Sequence, residues 1–302
     1  MSDLPLVSIV VVSYNQGKYI RENLDSLKAQ TYPNIELIVA DDASQDNSVE
    51  VFNEWLFKNN YPAQTNYHTK NTGLATTLNE CVEMVTGKYV KFIAADDFLH
   101  PESIERCVKK LEELGEEYGM VFTDIYAVDD DSKPLGDIMD YNRAGLVDRE
   151  VFRRDLRKGN RIAALSVLMR LNVLKETGPY SSDMLVEDYQ KWLQINEDYY
   201  IAYIPEKLCY YRQHINNISK SKAAKIAMED LYLRIKYDKY GDSKKHINDN
   251  IQFLYSKKMF LRETSLVQAF IRYPFRNKTL GFCIENKLPF LYFRILNKLG
   301  FK

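Results

Sequence analysis

Four short stretches concentrate side chains able to handle protons, cations and phosphate. They are Ser13-Tyr14-Asn15, Asp41-Asp42, Asp96-Asp97 and Glu187-Asp188, and Arg212 and His214 stand close together further on. The Asp96-Asp97 pair is the hardest to explain as ordinary structure. It ends an apolar run, Tyr89 to Ala95, and precedes Phe98-Leu99-His100-Pro101. One Asp at such a place is a common turn or cap residue. Two adjacent carboxylates repel each other unless a cation or hydrogen-bond donors lie between them. The helix that follows has its own cap candidates in Leu99 or His100, with Pro101 in its first position. Paired hard oxygen ligands suit Mg²⁺ or Mn²⁺, and such a cation can bridge a protein to a diphosphate.

The elements that must position these groups follow from the hydrophobic pattern. Val7 to Val12 and Ile35 to Ala40 are nearly continuous apolar runs, as strands buried on both faces require. Between them, Lys18 to Gln30 places Ile20, Leu24 and Leu27 on one helical face. A helix is expected over Asp46 to Phe57, a short strand over Gln64 to His68, and a helix over Thr72 to Val85 closed by Gly87 as a C-cap. A strand over Lys88 to Ala95, a helix over Pro101 to Leu114 and a strand over Gly119 to Thr123 complete the alternation. This order predicts an α/β chain with a doubly wound, mostly parallel sheet. Ligands of such sheets bind beyond the carboxyl ends of the strands. Ser13-Tyr14-Asn15, Asp41-Asp42 and Asp96-Asp97 all fall at such ends, so three polar clusters converge on one edge.

Composition narrows the classes. The 302 residues are 45% hydrophobic and 27% charged, with a net charge of −1. No nucleic-acid partner is expected from that balance. The four cysteines are dispersed without a C-x-x-C pair, and no signal peptide or membrane span is legible, so the reading is a cytoplasmic chain with reduced thiols. Two nucleotide fingerprints are excluded. The turn Ser13 to Lys18 contains no G-x-G-x-x-G, and neither Gly17-Lys18 nor Gly87-Lys88 is followed by Ser or Thr, so there is no P-loop. A diphosphate would have to be held through carboxylates and a cation.

The stretch "VSIVVVSYNQGKYIRENLDSLKAQTYPNIELIVADDASQDNS" resembles the opening of a family 2 glycosyltransferase of the GT-A fold. The resemblance continues in "NTGLATTLNECVEMVTGKYVKFIAADDFLHPES", "LVEDYQKWLQI" and "YYRQHINNIS", covering roughly residues 5–220. It implies an inverting enzyme of bacterial polysaccharide type that uses a nucleoside diphosphate sugar, UDP-linked by expectation, and Mn²⁺ or Mg²⁺. Carried over by position, Ser13, Tyr14 and Asn15 lie along the nucleotide, and Asp42 accepts from the pyrimidine N–H. Asn71 and Gly73 belong to the same donor site, and Asp41 is structural. Asp97 is then the metal ligand with His214, Asp96 lies near the ribose or the metal's waters, and Arg212 and Ser219 reach the diphosphate. Ala94 stands where many relatives carry a further Asp. Asp188 matches the general base, and Glu187 orients it or binds the acceptor. Glu and Asp also simply favour the positive end of a helix.

These motifs imply a catalytic domain over residues 1–220 and a helical, basic-aromatic C-terminal extension over 221–302. From Ile251 onward, ten lysines and arginines face two glutamates, giving +8, while the remaining 250 residues carry −9. Interleaved with Phe, Tyr and Leu, these cations fit an anionic membrane surface and a peripheral, cytoplasmic-face location. A helical subdomain packed on the core and an oligomer contact are the other readings. The acceptor is expected to be a hydroxyl of a glycan or lipid-linked molecule. The alternative function is a non-catalytic sugar-nucleotide-binding or scaffold protein of a polysaccharide assembly.

Overall fold

The computed structural model describes residues 4–215, 217, 222–259 and 264–301. The chain forms two compact units, Met1–Arg153 with Arg161–Asn217, and Arg154–Asn160 with Ile218–Lys302. The first is built on a mixed sheet of eight strands in the order β3-β2-β1-β4-β7-β6-β8-β5. These strands are β1 (Val7–Ser13), β2 (Ile35–Asp41), β3 (Gln64–Tyr67), β4 (Tyr89–Ala94), β5 (Phe98–Leu99), β6 (Tyr118–Val128), β7 (Leu168–Arg170) and β8 (Tyr200–Arg212). Strand β1 lies between β2 and β4. It pairs in parallel with β2 and β4, with Val7 opposite both Ile35 and Tyr89. Every residue of β1 is buried, as its unbroken apolar run requires.

Helices α1 (Ile20–Lys28), α2 (Ser48–Asn59), α3 (Leu74–Met84) and α4 (Ser103–Leu114) supply the crossovers. The expected face of α1 is observed: Ile20, Leu24 and Leu27 are buried, and Asn23 joins them. Two expectations fail at helix ends. Gly87 is not a left-handed cap, since α3 ends at Val85 in extended conformation. A Cβ on Gly87 would instead lie 2.7 Å from the Leu6 carbonyl, so its role is close approach to β1. Helix α4 starts at Ser103 after Glu102, two residues later than Pro101 suggested, because Phe98-Leu99 is drawn into the edge strand β5.

The sheet departs from all-parallel order at two strands. Strand β7 inserts antiparallel between β4 and β6, and β5 pairs antiparallel with β8. Strands β6 and β8 run parallel but lose register between Thr123 and Asp124, opposite Ile204 and Lys207. Pro205 lies in that irregular stretch, where its missing N–H leaves no ladder bond unmade. Strand β4 carries a fully buried Lys91, whose ammonium donates to the Leu165 and Val167 carbonyls at 2.6 and 3.2 Å. This charge is tolerated because its donors are answered.

Residues between β6 and β8 form α5 (Tyr141–Gly145), α6 (Arg149–Leu156), α7 (Leu171–Glu176) and α8 (Glu187–Asp198). The second unit contains α9 (Ala223–Tyr237), α10 (Lys244–Ser256), α11 (Thr264–Arg272), α12 (Lys278–Glu285) and α13 (Phe290–Lys298). Its own core includes Ile247, Ile251, Phe270, Leu280, Cys283 and Phe293. Cys81, Cys107, Cys209 and Cys283 are buried and unpaired. Among the described residues no helix is long and apolar enough to cross a membrane.

Candidate active site

At the ends of β1 and β2, two polar turns lock together. Asp41 accepts from the Ser44 amide at 2.8 Å and the Ser44 hydroxyl at 2.6 Å. Ser44 Oγ in turn accepts from the Asn15 amide at 2.7 Å, and Asn15 Oδ1 accepts from the Gln45 amide at 2.7 Å. Asp41 is therefore structural. Asn15 is also committed to this lock, with φ at 55°. Ser13 is buried at the strand end, while Tyr14 is 48% exposed and its ring is accessible.

Asp42 binds the start of α3. Its Oδ1 accepts from the Thr72 amide at 2.7 Å and lies 2.9 Å from His68 Nδ1, and its Oδ2 accepts from the Gly73 amide at 2.8 Å. A carboxylate has about four lone-pair sites, so Oδ2 keeps capacity for one more donor. Gly73 has φ at 90°, a conformation suited to glycine, and Asn71 beside it is exposed. His68 Nε2 also meets Glu80 at 2.6 Å. Burial opposes the charged imidazole, but the bonds and charges of Asp42 and Glu80 outweigh it and raise its pKa.

The turn at the end of β4 explains the paired aspartates. The Asp97 amide donates to the Ala94 carbonyl at 3.1 Å, closing a tight turn. Asn23 of α1 clamps that turn by donating to the Ala94 and Asp97 carbonyls at 3.2 and 2.8 Å. From the end of β8, the Arg212 amide donates to Asp97 Oδ1 at 2.9 Å and Arg212 Nε donates to the Asp96 carbonyl at 2.8 Å. His214 Nε2 lies 2.8 Å from Asp96 Oδ2. The two carboxylates thus face different partners. Burial, then the Asp96 charge, hold the Asp97 carboxyl well above the usual range.

These contacts bear on two expected roles. Arg212 is 1% exposed, and its guanidinium also donates to the Asp129 carbonyl, Ser132 Oγ and Glu22. It is a structural clamp rather than a free phosphate hand. Asp97 Oδ1 holds the β8 backbone, whereas Asp96 is the carboxylate that meets His214. Tyr19 completes this corner. Its ring stacks on His214 with centroids 5.4 Å apart, and the Arg212 guanidinium lies 4.8 Å above it. Ser219 lies outside the described residues.

Asp96 and His214 suit a divalent cation that also binds a diphosphate. They offer one oxygen and one nitrogen ligand, and Mg²⁺ or Mn²⁺ commonly completes its shell with phosphate oxygens and water. Among the described residues no group of three His, Cys, Asp or Glu side chains forms a cage.

Glu187 and Asp188 open α8, as expected, with Tyr189, Trp192 and Leu193 turned inward. Glu187 is buried and Asp188 is half-buried, its Oδ1 accepting from the Tyr189 amide at 2.6 Å. The link to β4 is Tyr180, whose ring meets Phe92 edge-on at 5.9 Å. Phe92 and Ala94 share one face of β4, and Asp96 follows in the turn that ends the strand. Lys191 of α8 lies 4.8 Å from the Tyr180 centroid and donates to the Gly178 carbonyl at 2.6 Å. Nearer the carboxyl half of β6, a cavity of about 330 Å³ is lined by Asp124, Asp137, Asp140, Tyr141 and Asn142 among others.

Asn23, Tyr19, His68 and Tyr180 are site residues that motif reading did not single out. Only Asn23 left a clear signal, as a polar residue inside the apolar stripe Ile20, Leu24 and Leu27 of α1.

The fold is shared with solved glycosyltransferase structures. The structure of S. aureus TarS 1-349 in complex with UDP-GlcNAc superposes with a TM-score of 0.69 over 98% of this chain and 92% of that one, at 16% identity. In sequence, a glycosyltransferase of Rickettsia felis is 30% identical over 193 residues, which is 63% of this chain but 31% of the relative. A glycosyltransferase of Haemophilus influenzae is 29% identical over 230 residues, covering 72% of this chain and 69% of the relative. Residues 8–173 match the family described as glycosyl transferase family 2, and the chain belongs to that family.

Proposed function

We propose that the chain transfers a sugar from a nucleoside diphosphate sugar, with UDP as the nucleotide, to a hydroxyl of a glycan or lipid-linked acceptor. The observation that carries this reading is the convergence of three groups. Asp42 retains an acceptor site at the start of α3, Asp96 meets His214 at the end of β4, and α8 begins with Glu187-Asp188 beside the Tyr180–Phe92 contact. UDP as the nucleotide is supported by the TarS complex and by the single acceptor position left on Asp42 Oδ2, which suits one ring N–H.

Asp42 and Tyr14 bind the base, with Ser13, Asn71 and Gly73 shaping the donor pocket. Asp96 and His214 would hold Mn²⁺ or Mg²⁺ against the diphosphate. Bound there, the cation supplies positive charge to the leaving group. Arg212 and Asn23 hold the backbone of the turn that carries Asp96, and the Tyr19 ring stacks on His214. Asp188 removes the proton of the attacking hydroxyl as its oxygen bonds to the anomeric carbon and the bond to phosphate breaks. A single displacement of this kind inverts the anomeric centre. Glu187 orients Asp188 or binds the acceptor. The basic, aromatic helices of the second unit bring the enzyme to an anionic membrane surface.

The test is a panel of nucleotide sugars scored for Mn²⁺-dependent hydrolysis and thermal stabilisation. Asp188→Asn should reduce turnover by about 10²–10⁴-fold, the usual contribution of a positioned base. Its affinity for the donor should stay within twofold, roughly, because the base acts in the transition state. Collapse of donor affinity would move Asp188 out of the base role.

A further inference from the structure

Tyr180 is 6% exposed and is gripped from three sides. Asn79 of α3 brackets its backbone, donating to the Tyr180 carbonyl at 2.9 Å and accepting from its amide at 2.7 Å. Phe92 of β4 holds the ring edge, and the Lys191 ammonium of α8 lies against the ring. The three anchors come from different elements, so the ring has one place to be. Its hydroxyl, however, has no hydrogen-bond partner among the described residues. A mostly buried phenol without a partner is unfavourable, and native structures normally answer such a group. Burial, followed by the charges of Glu187 and Asp188, raises the phenol pKa, so the group stays protonated and serves as a donor.

We infer that the Tyr180 hydroxyl donates a hydrogen bond to a hydroxyl or ring-substituent oxygen of the transferred sugar, and so helps select the donor. The inference rests on the nucleotide-sugar reading above. The transferred sugar is favoured over the acceptor because two of the three anchors, Asn79 and Phe92, sit on α3 and β4. Gly73, which caps α3, and Asp96, in the turn after β4, are the donor-side groups next to those elements. Tyr180 therefore measures the sugar from the nucleotide side, while Asp188 acts from the start of α8.

The experiment uses the full chain with Mn²⁺, UDP alone, and UDP-glucose, UDP-galactose and UDP-N-acetylglucosamine. Tyr180→Phe keeps the ring and its packing and removes only the oxygen. UDP should bind the variant as it binds the wild type, while the preferred nucleotide sugar should lose about tenfold in affinity, the upper range for one neutral hydrogen bond. A matching series of deoxy donors on the wild type makes the test independent of how well the variant folds. One deoxy position should lose a similar factor in the wild type and almost nothing further in Tyr180→Phe. Equal affinity for every deoxy donor, or an equal loss for UDP alone, overturns the inference. A loss confined to the acceptor KM overturns it as well, in favour of an acceptor contact. If the wild type binds UDP but none of the sugars, the nucleotide-sugar reading itself fails, and this inference with it.

Discussion

Asp96 and Asp97 are neighbours with the same side chain and different work. Asp96 Oδ2 meets His214, whereas Asp97 Oδ1 is held by the Arg212 amide. The difference can be measured. Asp96→Asn should weaken Mn²⁺-dependent UDP binding by at least roughly 10–100-fold, the range already seen when only the partners of metal ligands are changed. Calorimetry with and without Mn²⁺ is the direct readout. Asp97→Asn keeps an oxygen for the Arg212 amide and removes a like charge beside Asp96. Its Mn²⁺ dependence should persist, and its thermal stability should hold or rise. The reverse pattern, with Asp97 essential and Asp96 dispensable for cation-dependent binding, would restore the assignment expected from the motif alone.

Helix α8 shows how an element carries both a site and a liability. Its first two residues supply Glu187 and Asp188, and its next turn buries Lys191 almost completely. Burial lowers the Lys191 pKa from 10.5 to about 8. Between those values the unfolded chain binds the proton that the folded chain has released. Lys191 therefore makes stability rise with pH across roughly 8 to 10.5, and it contributes no such slope below about 8, where both states hold the proton. Lys191→Met should flatten that part of the profile and raise stability near neutral pH, where the wild type buries a charge. Melting temperature followed from pH 7 to 10 checks both statements. An unchanged slope would mean that Lys191 stays charged in the fold through its bonds to Gly178 and Thr177.

At the scale of the molecule, charge is partitioned along the chain, with +8 after Ile251 and −9 before it. The second unit adds a geometric fact. Helix α13 buries Phe293 in its core while Leu291, Tyr292, Ile295 and, just beyond the helix, Leu299 are exposed, with Arg294 and Lys298 among them. An apolar stripe bordered by cations suits an interfacial helix. Each cation near anionic lipid is worth about 1 kcal/mol, so binding should be reversible and salt-sensitive. Sedimentation with anionic vesicles should capture the protein at low salt and release it at high salt, with little capture by neutral vesicles. Leu291→Ser with Ile295→Ser should reduce capture at every salt concentration. Equal, negligible sedimentation with both vesicle types would instead leave α13 to a protein contact.

The sequence alone determined the elements whose hydrophobic patterns are strong. The buried runs of β1, β2 and β4 and the Ile20-Leu24-Leu27 stripe of α1 need no partner to be recognised, because burial on one or two faces dictates their spacing. The carboxyl-edge clusters were legible for the same reason, since the βα alternation fixes which strand ends share an edge. Strands β5 and β7 were not legible: two or three residues carry no period, and only pairing with β8, β4 and β6 makes them strands. The division of labour between Asp96 and Asp97 was equally hidden. It is decided by Arg212 and His214, more than a hundred residues away, and by Asn23 reaching across from α1. Sequence placed carboxylates, a cationic side chain and an imidazole near one sheet edge; only the packing of β8 against β5 decided which of them are spent on the fold and which remain for a ligand.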